Sequence, residues 1–272
     1  MSNFYGLIGE KLGHSFSPTI HHLILQKLKS NGLYNLFEIE KDGLHKSVQG
    51  LKTLGAKGVN VTIPYKIQIM QYLDNISEEA KKIGAINTIS FSDGVLTGYN
   101  TDYHGFGASL KNSEVEILNK NAVVLGTGGS SKAVVQYLVD NKINDIIYVS
   151  RDPLNAAKKI KDFKIISYDE INNLENQDIL INCTPCGMYP NIEDSPVKEN
   201  VLSNFSIVVD LIYNPEETLL LKHAKNLKLK TVNGLYMLVA QAIAAQEIWQ
   251  DVSINEELVK DIYNEIKNSF DK

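Results

Sequence analysis

The stretch Val123-Val124-Leu125-Gly126-Thr127-Gly128-Gly129-Ser130-Ser131-Lys132-Ala133 decides how this chain folds. Its first three residues are apolar, as expected of a strand that is buried on both faces. Glycines follow, and then a segment with helical character runs through Leu138. A glycine turn between a buried strand and a helix lets backbone N–H groups and the helix N-terminus approach a pyrophosphate. The stretch therefore predicts the opening of a Rossmann-type sheet, although Ser131 departs from the strict G-x-G-x-x-G/A pattern.

Apolar strands continue after this turn. The sequence predicts them at Ile146–Val149, Ile165–Tyr168, Asp178–Asn182, Ile207–Leu211 and Lys230–Val232. Continuous apolar strands separated by helices indicate a parallel sheet covered on both faces. From Gly234 onward only helices are expected, at Leu235–Gln250 and Asn255–Phe270.

The residues before the turn form a second α/β pattern. Strands are predicted at Phe4–Gly9, Tyr34–Ile39, Val59–Thr62, Ile86–Phe91 and Val95–Tyr99. Ser92-Asp93-Gly94 between the last two is a hairpin signal. Ser17 is expected to cap a helix with Pro18 as its first residue and Gly32 after its end, and Pro64 to begin another helix. The fold class is therefore α/β, with an N-terminal α/β domain and a C-terminal parallel-sheet domain.

Composition excludes several classes of protein. A chain of 272 residues with a net charge of −5 lacks the basic surface that a nucleic-acid backbone demands, so we expect no such partner. No apolar run is long enough to span a bilayer, and the first ten residues do not form a signal peptide. Two cysteines are too few for a secreted disulfide framework, so we expect a cytoplasmic protein. We also expect a monomer or a homodimer, and the sequence does not fix the oligomeric state.

Arg151 is the single arginine among 27 basic residues. It lies in Val149-Ser150-Arg151-Asp152-Pro153, where the second strand of the predicted sheet ends. An NAD site usually places a carboxylate near this point, whereas the planar fork of an arginine suits the 2′-phosphate of NADP. Asp152 would repel that phosphate, but it is also a good N-cap for a helix opened by Pro153. We therefore favour NADP, and we expect Asp152 to cap the helix.

Polar clusters interrupt the N-terminal pattern at the ends of its strands. They are His14-Ser15-Phe16-Ser17-Pro18, Asn60-Val61-Thr62-Ile63-Pro64-Tyr65-Lys66, Gly84-Ala85-Ile86-Asn87-Thr88 and Asn100-Thr101-Asp102. Later come Asn182-Cys183-Thr184-Pro185-Cys186-Gly187-Met188, Asp210-Leu211-Ile212-Tyr213-Asn214-Pro215 and Gly234-Leu235-Tyr236-Met237-Leu238-Val239-Ala240-Gln241. Taken together with the glycine turn, this ordered set resembles the shikimate dehydrogenase (shikimate/quinate dehydrogenase) family over nearly the whole chain.

The resemblance implies a role for each matching residue. It makes Lys66 and Asp102 the catalytic pair. The residues that it implies for substrate binding are Ser15, Ser17, Thr62, Asn87, Tyr213 and Gln241. Those that it implies for NADP binding are Gly126, Gly128, Gly129, Ser130, Ser150, Arg151, Thr184 and Gly234. It also implies a substrate domain of residues 1–102 with 237–272 and a dinucleotide-binding domain of residues 103–236.

The implied activity is NADP-dependent reduction of 3-dehydroshikimate to shikimate in aromatic amino acid biosynthesis. Oxidising a secondary alcohol needs hydride acceptance by the nicotinamide and proton removal by a base. Free lysine titrates near 10.4, so we see Lys66 mainly as the proton donor of the reduction; which residue is the formal base stays open. The resemblance also implies shikimate rather than quinate as substrate, because quinate-accepting members of the family carry a bulkier threonine at one of the positions of Ser15 and Ser17.

Two alternatives remain. Asp152 keeps open an NAD-using quinate/shikimate dehydrogenase, and a catalytically silent shikimate-binding regulator could share the fold. The pair Cys183 and Cys186 fits neither a thioredoxin-like site nor a zinc site, which needs more ligands. The histidines likewise lack a third ligand at a sensible spacing, so we expect no metal.

Overall fold

The chain divides into two compact units in the computed structural model, which describes residues 3–13 and 15–270. Unit 1 comprises Met1–Gly105 with Val239–Lys272, and unit 2 comprises Phe106–Leu238. His14, quoted above in the first polar cluster, lies outside the described residues. Within those residues, no helix is long and apolar enough to cross a membrane.

Unit 1 is built on a mixed sheet of strand order β2-β1-β3-β5-β6-β4. Its strands are β1 (Asn3–Gly9), β2 (Gly32–Glu38), β3 (Gly58–Val61), β4 (Asn75–Ile76), β5 (Thr88–Ser92) and β6 (Val95–Tyr99). Its helices are α1 (Ser17–Lys27), α2 (Leu44–Thr53) and α3 (Glu78–Ile83), with α4 (Thr101–Asn112) beginning in this unit. Strand β1 pairs in parallel with β2 and β3, whereas β5 runs antiparallel to β3 and β6. The predicted hairpin is confirmed, with Ser92 opposite Val95.

The end of the chain completes the core of unit 1. Helix α8 (Leu235–Gln250) continues into this unit and is followed by α9 (Glu256–Phe270). Trp249 stacks on Tyr5 and donates a hydrogen bond to the carbonyl of Ile89. A Cβ at Gly58 would lie 2.0 Å from its indole nitrogen, so only glycine lets the ring approach β3 this closely.

Unit 2 contains an all-parallel sheet of strand order β12-β11-β10-β7-β8-β9. Its strands are β7 (Asn121–Leu125), β8 (Asp145–Val149), β9 (Lys164–Ile166), β10 (Ile179–Asn182), β11 (Ile207–Asp210) and β12 (Lys230–Val232). The connecting helices are α5 (Gly129–Asp140), α6 (Pro153–Lys159) and α7 (Leu219–Asn226). This order changes direction between β7 and β10, which is where ligands bind in open α/β sheets.

Both faces of the unit 2 sheet are buried. Along β7, Ala122 and Val124 belong to one apolar cluster, whereas Val123 and Leu125 belong to the other. Because successive side chains of a strand point to opposite faces, the two clusters lie on opposite sides of the sheet. This confirms the parallel, doubly covered sheet that the continuous apolar strands predicted.

Three predicted boundaries were wrong. Ser17 does not cap α1: Phe16 already has helical backbone angles, and the Ser17 N–H donates to Ser15 Oγ instead. Helix α1 ends at Lys27, and Gly32 begins β2. No α-helix begins at Pro64. The carbonyl of Lys66 accepts from Ile86 N at 2.7 Å, so it is unavailable to a helix, and only a 3₁₀ turn forms at Gln68–Tyr72.

Candidate functional site

The polar cluster of unit 1 forms where three strands of the sheet meet. Lys66 follows β3, Asn87 directly precedes β5, and Asp102 lies in the first turn of α4 just after β6. Backbone hydrogen bonds hold these segments together, from Val61 N to the Asn87 carbonyl and from Asn87 N to the Tyr99 carbonyl. Their side chains therefore converge because of the strand pairing.

Lys66 and Asp102 form a short ion pair. Lys66 Nζ lies 2.5 Å from Asp102 Oδ2, and the two side chains are only 12% and 11% exposed. The pair is therefore largely shielded from water, yet each group keeps a small accessible surface. An ammonium group held in this way can donate a hydrogen bond or a proton to a ligand oxygen, with the carboxylate balancing its charge.

Asn87 sets the orientation of Asp102. Its amide Nδ2 donates to Asp102 Oδ1 at 2.9 Å, which leaves Oδ2 for Lys66. The Asn87 Oδ1 accepts from Thr101 N at 2.7 Å and from the hydroxyls of Thr88 and Thr101. Because a carboxylate only accepts and a backbone N–H only donates, this amide has one satisfactory orientation.

Of the other residues expected to bind substrate, the structure brings Gln241 next to this cluster. Gln241, on α8, brings its Oε1 within 3.4 Å of Thr101 Oγ1. Ser15 and Ser17 stand at the start of α1, and the Ser17 hydroxyl is hydrogen-bonded to Tyr34. Thr62 follows β3, where its backbone N–H donates to the Ile8 carbonyl at 2.9 Å. Tyr213 belongs to unit 2, and burial there raises the pKa of its phenol.

Sequence reasoning missed a buried layer of polar residues behind the cluster. Tyr34 OH donates to Asn60 Oδ1 at 2.8 Å, and Asn60 Nδ2 donates to Thr88 Oγ1 at 3.0 Å. Asn60 and Thr88 are opposite one another on β3 and β5. The signal was present, because an asparagine between Val59 and Val61 in a fully buried strand needs a hydrogen-bond partner.

The glycine turn of unit 2 has the geometry expected of a phosphate cradle. Gly126 has φ +94°, which an L-residue with a side chain rarely adopts, and its N–H donates to the Val149 carbonyl. Helix α5 begins at Gly129, with Ser130 in its first turn. A Cβ at Gly128 would meet no atom within 4 Å, so there is open space beside the turn. Four N–H groups at the start of a helix have no partner inside it, and they would face a phosphate placed there.

Thr184 and Gly234 lie at the ends of neighbouring segments. Thr184 follows β10, and its Cγ2 is 2.9 Å from where a Cβ on Gly126 would be. It therefore borders the glycine turn at the point where the strand order reverses. Gly234 precedes α8, and a Cβ there would lie 2.0 Å from the Leu211 carbonyl oxygen. Only glycine permits this close approach.

The segment after β8 supports the expected role of Asp152. Its side chain accepts from Asn155 N at 3.0 Å and thereby caps α6, as predicted. Ser150 Oγ accepts from Asp152 N at 3.1 Å, and Arg151 is exposed. The carboxylate that could repel a phosphate is thus engaged with the helix, while the guanidinium group is open to solvent.

The two cysteines are not joined in a disulfide. Burial raises the pKa of both the Cys183 and the Cys186 thiols. A thiol kept protonated is a poor nucleophile and metal ligand. In the part of the chain that the structure describes, no group of three His, Cys, Asp or Glu side chains is placed to hold a metal ion.

Two family models match the chain. The shikimate dehydrogenase substrate binding domain matches residues 7–89, and shikimate / quinate 5-dehydrogenase matches residues 109–237. Among named relatives, the shikimate dehydrogenase (NADP(+)) of Clostridium beijerinckii is 51% identical over 268 residues, covering 98% of this chain and 99% of that protein.

Solved structures agree. A chorismate mutase/shikimate 5-dehydrogenase fusion protein from Clostridium acetobutylicum is 51% identical, with a TM-score of 0.97 and full coverage of both chains. Shikimate 5-dehydrogenase from Thermus thermophilus in complex with NADP(H) and shikimate is 28% identical, with a TM-score of 0.85, covering 97% of this chain and 99% of that one. On this evidence, the chain belongs to the shikimate dehydrogenase family.

Proposed function

We propose that this chain catalyses the reversible, NADP-dependent reduction of 3-dehydroshikimate to shikimate, a step of aromatic amino acid biosynthesis. The observation that carries the proposal is the Lys66–Asp102 pair, held by Asn87 in the unit that the substrate-binding family model matches. Two relatives named shikimate dehydrogenase (NADP(+)) also support it, because they are 51% and 50% identical to this chain over 98% of its length.

Lys66 serves as the proton donor of the reduction. When bound, NADPH supplies the hydride that reaches the carbonyl carbon. The Lys66 ammonium group polarises the carbonyl and gives its proton to the oxygen, which becomes the new hydroxyl. Asp102 Oδ2, 2.5 Å from Lys66 Nζ, balances the charge of the ammonium group. When the alcohol is oxidised, the pair takes the hydroxyl proton back.

Polar side chains hold the substrate around this pair. Shikimate carries one carboxylate and several hydroxyls, and each needs a hydrogen-bond partner once it leaves water. We assign these contacts to Ser15, Ser17, Thr62, Asn87, Tyr213 and Gln241. Thr101, through its contact with Gln241 Oε1, links the Gln241 side chain to the Asn87 amide.

The residues of unit 2 fit NADP. The open space beside Gly128 and the start of α5 suit the pyrophosphate, with Gly126, Gly129 and Ser130 completing the turn. Arg151 and Ser150 would take the 2′-phosphate, because the fork of a guanidinium group can bond two phosphate oxygens at once. Thr184 and Gly234 would border the remainder of the dinucleotide.

Apart from Tyr213, a proposed substrate contact within the dinucleotide-binding range, this assignment gives each domain one task. We propose that residues 1–102 with 237–272 bind the substrate and that residues 103–236 bind NADP. We further propose that the protein works in the cytoplasm as a monomer or homodimer on small molecules, with neither nucleic acid nor membrane as partner. Light scattering of the purified protein determines its oligomeric state.

The decisive experiment compares four reactions. Oxidation of shikimate and of quinate is followed with NADP and with NAD, through the absorbance of the reduced cofactor. We expect kcat/KM to be highest for shikimate with NADP. A preference for quinate or NAD would support the alternative dehydrogenase, and shikimate binding without turnover would support a silent regulator.

A further inference from the structure

Asp210, at the end of β11, is a fully buried carboxylate that the reaction described above does not use. Its Oδ1 accepts from Asn182 Nδ2 at 3.0 Å and from Ile212 N at 3.1 Å. Its Oδ2 accepts from the Thr218 hydroxyl at 2.7 Å. Desolvation raises its pKa to about 6. Burying a carboxylate costs free energy unless hydrogen bonds compensate it, so these bonds indicate the role of Asp210.

The carboxylate is the nearer of two acceptors that orient the Asn182 amide, since Nδ2 lies 3.0 Å from Asp210 Oδ1 and 3.5 Å from the Cys186 carbonyl. A carboxylate only accepts hydrogen bonds, so Asn182 must turn its Nδ2 toward Asp210. The Asn182 Oδ1 then faces the loop after β10, where it accepts from Thr184 N at 3.0 Å and from Thr184 Oγ1 at 2.7 Å. If the amide turned over, the Asn182 oxygen would face the Asp210 carboxylate, acceptor against acceptor. Its NH₂ group would face the Thr184 N–H, donor against donor.

Thr184, held by the Asn182 oxygen, packs beside the glycine turn. Its methyl carbon Cγ2 lies 2.9 Å from where a Cβ on Gly126 would be. The hydrogen bonds therefore run from the end of β11, across the end of β10, to the turn that follows β7. These three strands are neighbours at the carboxyl edge of the sheet, where its order reverses.

We propose that Asp210 is a positioning residue for NADP binding, because through the Asn182 amide it holds Thr184 against the glycine turn. The inference rests on the proposed function, which assigns Gly126 and Thr184 to the cofactor. Asp210 itself contacts neither the reacting atoms nor, on this assignment, the cofactor.

This role depends on hydrogen-bond geometry and not on charge. In Asp210→Asn, the side-chain carbonyl accepts from Asn182 and Ile212 N, and the new amide donates to Thr218 Oγ1. The network then keeps its contacts in a neutral form, with the Thr218 hydroxyl accepting where it donated before. In Asp210→Ala, the Asn182 Nδ2 loses its nearer acceptor and keeps only the Cys186 carbonyl at 3.5 Å, so the amide is held less firmly.

The test measures binding of NADP⁺ to the full chain by calorimetry, together with KM for shikimate and for NADP. Asp210→Ala removes the hydrogen bond between the carboxylate and the Asn182 amide. We therefore expect this variant to bind NADP⁺ roughly tenfold more weakly, with little change in KM for shikimate. Asp210→Asn should restore the wild-type affinity. The matched control is Asp178→Ala, because Asp178 bonds Asn121 N at the opposite edge of the same sheet.

A second substitution covers the case in which Asp210→Ala fails to fold. Asn182→Ala removes the other end of the same hydrogen bond and should weaken NADP⁺ binding to a similar extent. The double variant should be no weaker than either single one, because both remove the same constraint. Additive losses would indicate general destabilisation and would overturn the inference.

Two further results would also overturn it. One is a folded Asp210→Ala variant that binds NADP⁺ as the wild type does. The other is an Asp210→Asn variant as weak as Asp210→Ala, since charge would then be the cause. A wild-type chain that fails to bind NADP⁺ at all would refute the proposed function itself, which is a different outcome.

Discussion

Unit 1 and unit 2 each bury a carboxylate, and they compensate its charge in different ways. Asp102 meets the ammonium group of Lys66 at 2.5 Å. Asp210 meets an amide, a hydroxyl and a backbone N–H, and among the described residues no basic side chain pairs with it. A charged partner that remains slightly exposed can exchange a proton with a ligand, whereas buried neutral donors can only hold neighbouring atoms in place. On our proposals, Asp102 serves the chemistry, whereas Asp210 holds neighbouring groups in place.

Lys66→Ala should have the largest effect. It removes the proton donor and the partner of Asp102, so kcat should fall roughly 100- to 10,000-fold while the affinity for shikimate changes much less. Steady-state kinetics with shikimate and NADP measure both quantities. Lys81→Ala is the control, because Lys81 pairs with Glu78 on an exposed helix. Near-normal turnover in Lys66→Ala would refute the catalytic assignment.

The same substitution at both carboxylates tests the comparison most directly. Asp102→Asn leaves the Lys66 ammonium without a balancing charge, and we expect kcat to fall roughly 100-fold. Asp210→Asn should leave kcat almost unchanged. Equal losses in the two variants would show that the carboxylates do not differ in role.

Arg151 is an exposed charge of unit 2, in contrast to the two buried carboxylates. Arg151→Leu should raise KM for NADP roughly ten- to a hundredfold and KM for NAD far less, because only NADP carries the 2′-phosphate. Arg151→Lys keeps the charge without the planar fork, so its KM for NADP should lie between those of the wild type and Arg151→Leu. If both cofactors suffered equally, the position of the only arginine would have no bearing on cofactor choice.

The smallest effect should appear in stability. The pKa of Asp210 in the folded chain, about 6, lies above its ordinary value of 3.8, so the folded state binds this proton more tightly. Wild-type stability contributed by this group is therefore lost as pH rises from about 4 to about 6. Asp210→Asn does not titrate, so between pH 4.5 and pH 7.5 it should gain about 2 kcal/mol of stability over the wild type, because one pKa unit corresponds to about 1.4 kcal/mol.

Urea unfolding at pH 4.5 and at pH 7.5 measures this difference. The advantage of the asparagine variant should be larger at the higher pH. An advantage that is independent of pH would show that Asp210 titrates normally.

Much of unit 2 could be predicted from the sequence. Its buried strands are continuous apolar runs, and Gly126 marks the turn, so periodicity alone located β7 to β12 closely. Helix α8 was predicted with its observed bounds because sixteen residues without a breaker follow Gly234. The cap at Asp152 was also predicted, since Pro153 fixes the start of α6.

Unit 1 was harder to predict because long-range contacts decide its local structure. The segment after Pro64 carries a helical signal, but the Lys66 carbonyl is taken by Ile86 N, twenty residues along the chain. The identity of the residues that bind Asn60, and Asp210 in unit 2, was likewise hidden, although the position of Asn60 in a buried strand signalled that it needed a partner. Their partners, Tyr34 and Asn182, are 26 and 28 residues away, and only the strand pairing reveals them.

Trp249 has a consequence for how the chain is made. It fills the space over Gly58, yet the ribosome synthesises it more than a hundred residues later than any strand of the unit it completes. Unit 2, which is continuous in sequence, can finish folding as it emerges. The N-terminal part of unit 1, Met1–Gly105, must wait until synthesis reaches α8, with the apolar surface that Trp249 covers still exposed. A chaperone that binds nascent chains would therefore find its longest-lived target at the beginning of this protein.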